Sequence, residues 1–219
     1  MEKTAVIAGS TGLIGQELIK ILSEDNRYDK ILALTRKPKA SDLPKVEYVV
    51  VDFDYLSIYQ KEINADDAFC ALGTTRQKAG SKEAFYKVDY TYVWEFGRIM
   101  AQNKAQSFTL VSSMGANEKS SILYPRAKGQ IENFLKNKDF DSLPIFRPSQ
   151  LGGNRREFRL GEQISDKFMR LFDILIPKNY KLIQAKTVAQ AMKIKSLSTQ
   201  KGNQIYLSGE ITQIVQDEN

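Results

Sequence analysis

The chain has 219 residues, of which 42% are hydrophobic, a length and composition typical of one large globular α/β domain. It contains no histidine and a single cysteine, Cys70, which excludes an internal disulfide and His-based catalytic triads and predicts no metal site. No stretch approaches the eighteen apolar residues of a membrane span, and the N-terminus does not resemble a secretory signal. We therefore expect a cytoplasmic protein without stable membrane insertion.

The net charge of +6 is unevenly distributed along the chain. Residues 151–201 hold eleven Lys and Arg against four Asp and Glu, whereas residues 1–150 hold twenty-one against nineteen. The preferred interpretation is a solvated basic face, and the alternative is a lobe that favours anionic ligands such as a cofactor phosphate. Nucleic acid is not expected as a partner, because no recognition motif accompanies the charge.

The most informative stretch is a glycine-rich loop between an apolar run, Thr4–Ala8, and an amphipathic segment, Leu13–Leu22. The run predicts a buried strand and the segment a helix. Gly9 would permit a tight turn, Gly12 would let the backbone approach a diphosphate, and Gly15 would let the helix pack closely on the strand. The free N–H groups at the helix N-terminus would meet the phosphates. This order of elements predicts a dinucleotide site formed by Gly9, Ser10, Thr11, Gly12, Leu13, Ile14 and Gly15.

Apolar runs and amphipathic segments continue to alternate along the chain. Further strands are predicted at Lys30–Thr35, Val46–Val51, Asp67–Leu72, Phe108–Val111, Ser142–Arg147 and Gln204–Leu207. Further helices are predicted at Tyr55–Ile63, Lys82–Lys104, Tyr124–Asn137, Glu162–Ile176 and Thr187–Ser196. The alternation predicts a single domain, residues 1–219, with a Rossmann-type doubly wound parallel sheet and helices on both faces. Residues 149–200 are expected to form its substrate-side lobe.

The end of the second predicted strand indicates which dinucleotide binds. NAD-type sites usually carry an acidic residue there, which bonds the ribose 2′-hydroxyl. Here the place is taken by Arg36 and Lys37, which would bind a 2′-phosphate, so the expected cofactor is NADP(H). Lys37 fits a solvated turn about as well. Asp52, at the end of the third strand, either accepts from the adenine amino group or caps the following turn.

A catalytic group is indicated by Tyr124 and Lys128, four residues apart at the start of a predicted helix. The chain has ten tyrosines and twenty-two lysines, so a tyrosine and a lysine at this spacing are expected by chance and the spacing alone has little weight. The pair follows Ser113, however, which ends a predicted strand at the same edge of the sheet as the glycine-rich loop. A phenol has a pKa of about 10, and a nearby ammonium favours its phenolate. The three side chains predict acid–base chemistry on a small carbonyl or alcohol substrate. The alternative is a core tyrosine and a solvated lysine.

With these motifs the chain resembles an atypical short-chain dehydrogenase/reductase, of the branch that includes the human Tat-interacting protein and bacterial relatives. The matching segments are G-S-T-G-L-I-G at 9–15, L-T-R at 34–36, V-D-F at 51–53, C-A-L-G-T-T at 70–75, V-D-Y at 88–90, V-S-S-M-G-A at 111–116, S-S-I-L-Y-P-R-A-K-G at 120–129 and R-P-S-Q-L at 147–151. The resemblance implies that the cofactor is NADP(H) and that its further contacts include Phe53, Leu72, Gly73 and Thr74.

The resemblance also implies roles for the catalytic residues. Tyr124 would donate or accept the proton, and Lys128 would hold the nicotinamide ribose and tune the tyrosine. A serine of the pair Ser112 and Ser113 would orient the substrate; strand-end position favours Ser113, and Ser112 stays open. The backbones of Pro148 and Leu151 would meet the carboxamide. The wider superfamily often has an asparagine in the helix after the fourth strand, and the nearest match here is Asp89, which leaves that proton relay in doubt.

Two functions compete at this point. The first is an NADP(H)-dependent oxidoreductase, and the second is an NADP(H)-sensing regulatory or scaffold protein with little turnover. The complete Ser-Tyr-Lys set favours the first. A further apolar stretch, Phe168–Ile176, is interpreted as a core helix or a lid over the substrate and alternatively as a subunit interface, so a monomer or a homodimer is expected.

Overall fold

Seven parallel strands form the central sheet of the computed structural model, which describes residues 3–152 and 177–218. In chain order the strands are β1 (Lys3–Ala8), β2 (Tyr28–Thr35), β3 (Val46–Val50), β4 (Asp67–Cys70), β5 (Ser107–Val111), β6 (Ser142–Arg147), β7 (Leu151–Gly152), β8 (Ile183–Gln184) and β9 (Gly202–Leu207). The order across the sheet is β3-β2-β1-β4-β5-β6-β9, and β7 and β8 form a separate parallel pair. The predicted Rossmann-type parallel α/β sheet is confirmed.

Helices cover both faces of this sheet. They are α1 (Leu13–Ser23), α2 (Arg76–Ala79), α3 (Lys82–Tyr86), α4 (Tyr92–Gln102), α5 (Leu123–Lys136), α6 (Ala185–Ser196) and α7 (Ser208–Asp217), with short 3₁₀ helices at Phe53–Tyr59 and Lys178–Tyr180. Because side chains alternate along a strand, Ala5 and Ile7 of β1 pack with α1, α6 and α7, whereas Val6 and Ala8 pack with α4 and α5. Strand β1 is therefore buried on both sides, as a central parallel strand requires.

The topology places a cleft between β1 and β4. From β1 the chain moves outward through β2 and β3, and then returns to add β4 on the other side of β1. Ligands of open α/β sheets bind at such a point, beyond the carboxyl ends of the strands, where the two loops diverge. The loops that diverge here are the glycine-rich loop after β1 and residues 71–75 after β4.

Several predicted elements differ from the structure. The single helix predicted at Lys82–Lys104 is divided by a π-helical turn, Lys87–Thr91, which inserts an extra residue into the turn between α3 and α4. The predicted polar loop before it contains α2, and the terminal helix α7 was not predicted. The helix predicted at Glu162–Ile176, with the apolar stretch Phe168–Ile176, lies outside the described residues. Within the described ranges, no helix has the length and apolar character needed to cross a membrane.

Candidate active site

The glycine-rich loop after β1 is packed so closely that two of its residues have no room for a side chain. Gly9 has a φ of 88°, and a Cβ on it would lie 2.5 Å from the carbonyl oxygen of Ala71, after β4. A Cβ on Gly15 would overlap the carbonyl oxygen of Gly9. The loop is braced from the other side by Ser10, whose buried Oγ donates to the carbonyl oxygen of Leu34 at 2.5 Å. These contacts hold the start of α1 at the cleft between β1 and β4.

Gly12 lies at the N-cap of α1, where no side chain caps the helix. The first N–H groups of a helix lack partners within it and carry the positive end of its dipole. A Cβ on Gly12 would approach the Gly9 carbonyl oxygen to 3.3 Å, so a larger residue would crowd this open end. The backbone here has the geometry that suits a phosphate group.

Two cavities open on either side of this helix end. The β2-side cavity, of about 560 Å³, extends past Arg36 to Phe53 and Tyr92. The β5-side cavity, of about 310 Å³, extends past Tyr124 and Lys128. The two cavities meet at the loops after β1 and β4, where they share Gly12, Ala71, Leu72, Gly73, Thr74 and Lys78. A ligand with two halves joined at its middle, as in a dinucleotide, matches this continuous groove.

The described residues that line the β2-side cavity include cationic side chains and no carboxylate. Arg36 lines it just beyond β2, with its side chain exposed. Lys37 does not line it, and its backbone N–H donates to Thr35 Oγ1 at 3.3 Å. Asp52 does not line it either, and its Oδ1 accepts from the backbone N–H of Asp54 at 2.9 Å and caps the 3₁₀ helix. Of the two cations predicted to select the cofactor, Arg36 lines the groove and Lys37 does not.

The β5-side cavity contains a buried ion pair between Lys128 and Asp89. Lys128 Nζ lies 2.9 Å from Asp89 Oδ1, with the two side chains 4% and 1% exposed. The distance is that of an ion pair, although the angle is not that of a hydrogen bond. Asp89 Oδ2 accepts from the backbone N–H of Thr74 at 2.9 Å. Asp89 belongs to the π-helical turn. Through its contacts with Thr74 and Lys128 it joins the loop after β4 to α5.

Opposite effects act on the ammonium of Lys128. Burial alone would lower the pKa of Lys128, but the neighbouring carboxylate of Asp89 raises the pKa above the ordinary value for lysine. The lysine is therefore positively charged at neutral pH in the folded protein. Gly73 lies directly beside this pair, since a Cβ on it would contact Asp89 Oδ1 at 3.4 Å.

Tyr124 lies one helical turn before Lys128, in the first turn of α5. It lines the β5-side cavity, and its side chain is less buried than that of the lysine, with the residue 41% exposed. Its ring packs against Phe85 of α3, with 5.6 Å between the ring centroids. The tyrosine is thus supported by an apolar ring and lies on the same helix face as the buried cation, one turn before it.

The structure gives the two candidate serines different surroundings. Ser112 lines the β5-side cavity, but its Oγ donates to Glu132 Oε1 at 2.5 Å. Glu132 is buried and is also paired with Arg147, whose Nε lies 2.9 Å from Oε1. Ser113 is buried, and its Oγ has no hydrogen-bond partner in the described chain, although it is not among the residues that line the cavity.

Leu151 and Pro148, the two residues predicted to meet the carboxamide, differ in whether they line the cavity. Leu151, in β7, lines the β5-side cavity. Pro148 does not line the cavity, and its carbonyl oxygen accepts from the backbone N–H of Met114 at 3.0 Å. The cavities together bring in the predicted residues Gly9, Thr11, Gly12, Leu13, Ile14, Arg36, Phe53, Leu72, Gly73, Thr74, Ser112, Tyr124, Lys128 and Leu151. The predicted residues that lie outside the lining are Ser10, Gly15, Lys37, Asp52, Ser113 and Pro148.

Two features of the site were missed by the sequence reasoning. Asp89 was identified only as the residue at the place of an asparagine, and its pairing with Lys128 depends on the π-helical turn. The Ser112–Glu132–Arg147 network joins β5, α5 and β6, and no local pattern indicates it. The only available signal was the occurrence of acidic residues on apolar helix faces, which indicates buried partners.

The fold and the site together define the class as an NAD(P)-binding Rossmann fold of the short-chain dehydrogenase/reductase type. Among solved structures, the enzyme WbmH of Bordetella bronchiseptica in complex with NAD+ matches 96% of this chain and 77% of its own, with a TM-score of 0.72 and 15% identity, a likeness of fold alone. The chain is 35% identical over 170 residues to Protein HTATIP2 of Rattus norvegicus, which covers 76% of this chain and 70% of the relative. It belongs to the atypical short-chain dehydrogenase/reductase family, in the branch of HTATIP2. No protein-family model matches the chain.

A second relative corrects the prediction of a cytoplasmic location. The chain is 35% identical over 158 residues to Protein FMP52, mitochondrial, of Debaryomyces hansenii, which covers 70% of this chain and 69% of the relative. Relatives of this name are mitochondrial proteins, and this finding contradicts the cytoplasmic prediction. The prediction was wrong because a composition without secretory or membrane-spanning signals distinguishes poorly between the cytoplasm and the interior of an organelle.

Proposed function

We propose that the protein is an NADP(H)-dependent oxidoreductase that interconverts a small carbonyl compound and its alcohol. The observation that carries this proposal is the arrangement of Tyr124 beside Lys128, whose charge is maintained by Asp89, in a cavity continuous with the glycine-rich loop. Such an arrangement supplies a proton donor with a neighbouring positive charge at the point where a bound nicotinamide would lie.

The residues of the groove fit a dinucleotide. Gly12 and the open end of α1 would hold the diphosphate, and the β2-side cavity would hold the adenosine half between Phe53 and Arg36. Arg36 would bind the 2′-phosphate of NADP(H), and the absence of a carboxylate among the described lining residues removes the repulsion that an NAD-type site would offer. When bound, the cofactor supplies or accepts the hydride.

The side chains of the β5-side cavity handle the substrate oxygen. Tyr124 gives its phenolic proton to the oxygen in reduction and takes it back in oxidation. Lys128 would stabilise the negative charge that develops on the phenolic oxygen, and its ammonium would also hold the nicotinamide ribose. The supporting observation for the lysine is its position next to Gly73, where the backbone of the cleft has no side chain.

The serine that holds the substrate oxygen is proposed to be Ser113, whose hydroxyl would have to turn toward the β5-side cavity on binding, since Ser113 does not line that cavity. Its hydroxyl is buried and without a partner, whereas the hydroxyl of Ser112 is engaged by Glu132. A buried polar group without a partner is costly, and a substrate oxygen would relieve that cost. Replacing each serine by alanine in turn tests the assignment, since only the residue that holds the substrate should change KM and kcat together.

The architecture proposed for the whole chain follows from the same groove. Leu151 lines the β5-side cavity, which supports the proposal that residues 149–200 form the substrate-side lobe of a single domain comprising residues 1–219. The small-molecule partner is expected to enter between this lobe and Tyr124. The oligomeric state, monomer or homodimer, stays a prediction.

The test begins with a panel of aldehydes, ketones and quinones. Oxidation of NADPH by each compound is monitored by the absorbance of NADPH. Tyr124→Phe is expected to lower kcat about 10²- to 10⁴-fold, the usual range for general acid–base catalysis, with NADPH affinity unchanged by calorimetry. Lys128→Met is expected to lose turnover and cofactor affinity, because the lysine serves both. Tyr55→Phe is the matched control, since Tyr55 is exposed and does not line either cavity. Wild-type turnover in Tyr124→Phe, or NADPH binding without turnover of any compound, favours the nucleotide-sensing function instead.

A further inference from the structure

We infer that the carbonyl substrate carries a negatively charged group, a carboxylate or a phosphate, attached to an apolar body, and that Lys82 and Arg126 bind this group. The inference rests on the proposed function and specifies its substrate class. It is based on a third cavity, which we call the outer cavity, of about 560 Å³. Its described lining residues are Thr74, Thr75, Lys82, Phe85, Ser121, Ile122, Leu123, Tyr124 and Arg126.

The outer cavity adjoins the place where the chemistry is proposed to occur. It shares Thr74, Thr75 and Tyr124 with the β5-side cavity, so the tyrosine stands between the two spaces. A carbonyl carbon must face the nicotinamide while its oxygen meets the phenol. The remainder of the substrate must therefore extend past Tyr124, and the outer cavity is the adjoining space. Its volume lies within the range of small-molecule sites.

One wall of the outer cavity is apolar. Phe85 is buried beneath it and supports the ring of Tyr124. Ile122, which precedes α5, is 65% exposed, and Leu123 lies next to it. An exposed isoleucine beside an aromatic ring in a concave surface gains from a ligand that covers it, because apolar area is then removed from water. This wall suits an aliphatic or aromatic substrate body.

The remaining wall carries positive charge. Lys82 and Arg126 line the cavity, and none of its described lining residues is acidic. In the described part of the chain neither cation forms an ion pair; Arg126 makes one long hydrogen bond, from Nη1 to the carbonyl oxygen of Ser120 at 3.4 Å. Glu83, next to Lys82 in sequence, does not line the outer cavity and forms no ion pair with Lys82 in the described part of the chain.

Other cations near this cavity or on the neighbouring helices are paired with carboxylates. Lys87 contacts Asp54 at 2.7 Å, and Arg98 contacts Glu95 at 2.7 Å. Two unpaired cations that face one concave space raise the local concentration of anions and offer charge-assisted hydrogen bonds to a carboxylate or phosphate. A guanidinium can hold either group through two parallel N–H bonds, which would also fix the orientation of the carbonyl relative to Tyr124.

The test compares paired aldehydes that share the same body, one member with an anionic group and the other with a neutral one. The pairs are 4-carboxybenzaldehyde with 4-carbamoylbenzaldehyde, 4-formylphenyl phosphate with 4-methoxybenzaldehyde, and succinic semialdehyde with butanal, each at saturating NADPH. Wild-type protein is expected to prefer the anionic member of at least one pair by about tenfold or more in kcat/KM, equivalent to about 1.4 kcal/mol. The carboxylate and phosphate arms distinguish the two kinds of anion.

Variants connect this preference to the two cations. Arg126→Gln and Lys82→Gln are each expected to raise KM for the anionic substrate about tenfold, a loss at least several times larger than for its neutral counterpart. Lys61→Gln is the matched control, because Lys61 is exposed and lines none of the three cavities. Equal kcat/KM for charged and neutral members, or equal losses on both in Arg126→Gln, would overturn the inference while the oxidoreductase function stands.

A binding measurement separates this inference from the proposed function. Benzoate and phenyl phosphate are titrated into the NADPH-saturated protein and followed by saturation-transfer NMR. If no aldehyde is reduced but either anion binds wild type and binds Arg126→Gln at least tenfold more weakly, the anion site stands and the oxidoreductase function fails. If neither anion binds and no anionic aldehyde is preferred, the anion site is refuted whatever the turnover of neutral compounds.

Discussion

Replacing Asp89 by asparagine isolates the effect of the buried negative charge beside Lys128. The two side chains have nearly the same shape, and an amide oxygen can still accept from the backbone N–H of Thr74. What is lost is the carboxylate charge 2.9 Å from Lys128 Nζ, in surroundings where both side chains are almost fully buried. Removing one partner of a buried ion pair costs about 3–5 kcal/mol, because the other charge is left without compensation.

The expected consequence is a large fall in thermal stability. For a chain of this length a change of 1 kcal/mol shifts Tm by about 2–4 °C, so Asp89→Asn is expected to lower Tm at pH 7 by about 6–20 °C. The matched control is Glu47→Gln. Glu47 pairs with Lys30 at 2.8 Å on the surface, where both side chains are more than half exposed, and its loss should cost less than about 1 kcal/mol.

The pH dependence distinguishes loss of charge from loss of packing. In wild type the pKa of Lys128 is raised, so its stabilising contribution is fully present below the unfolded-state pKa and is lost only as pH rises through the still higher folded-state pKa. In Asp89→Asn burial acts alone and lowers the lysine pKa below the unfolded value. The variant then gains stability as pH rises above that lowered pKa, by up to about 1.4 kcal/mol per pH unit.

The assay is thermal unfolding of the cofactor-free protein, followed by circular dichroism at pH 7 and pH 9.5. We expect the Tm difference between wild type and Asp89→Asn to be largest at pH 7 and to shrink at pH 9.5, with no such change for Glu47→Gln. A Tm within 2 °C of wild type, or a deficit that does not depend on pH, would show that the Asp89–Lys128 pair does not carry the charge interaction inferred from its geometry.

Three further predictions concern the loop, the buried thiol and cofactor choice. Gly9→Ala is expected to lower Tm by several degrees more than Gly80→Ala, because both residues have positive φ but only Gly9 would also bring a Cβ to 2.5 Å from a carbonyl oxygen; equal losses would contradict the close packing of the loop. Burial raises the pKa of the Cys70 thiol to about 12. Iodoacetamide at pH 8 is therefore expected to label Cys70 in urea and not in the native protein, as measured by intact mass. Rapid labelling of the native protein would refute the burial of Cys70. Arg36→Ala is expected to weaken NADPH binding about ten- to hundredfold and NADH binding little, measured by calorimetry, and an unchanged ratio of the two affinities would refute the role of Arg36 in selecting NADP(H).

Local signals in the sequence predicted the part of the site that is built locally. The strand, the glycine-rich loop and the helix of residues 3–23 are contiguous, so the steric needs of Gly9 and Gly15 are visible in their spacing. The parallel order of the strands followed from the alternation of apolar runs and amphipathic segments. The same alternation placed Arg36 and Tyr124 at the cleft, because the carboxyl ends of parallel strands lie at one edge of the sheet.

Features that depend on contacts between distant segments were not predictable in this way. The π-helical turn that carries Asp89 alters the direction of its side chain within an otherwise continuous helical pattern. A hydrophobic periodicity of 3.6 residues does not reveal such a turn. The hydroxyl of Ser112 is engaged by Glu132 from another helix, so the choice between adjacent serines is a question of tertiary structure. Asp52 was predicted equally well as a cap or as a ligand, and its hydrogen bond to Asp54 shows the cap.

The central claim is that a bound nicotinamide and Tyr124 act together on one carbonyl group. The most direct measurement is transfer of deuterium from NADPH deuterated at C4 to the best substrate of the panel, followed by mass spectrometry of the alcohol. The account predicts one deuterium on the carbinol carbon, delivered from one face of the nicotinamide, and a product yield about 10²- to 10⁴-fold lower in Tyr124→Phe at equal cofactor occupancy. Alcohol formed without deuterium from either face, or formed at the same rate by Tyr124→Phe, would contradict it.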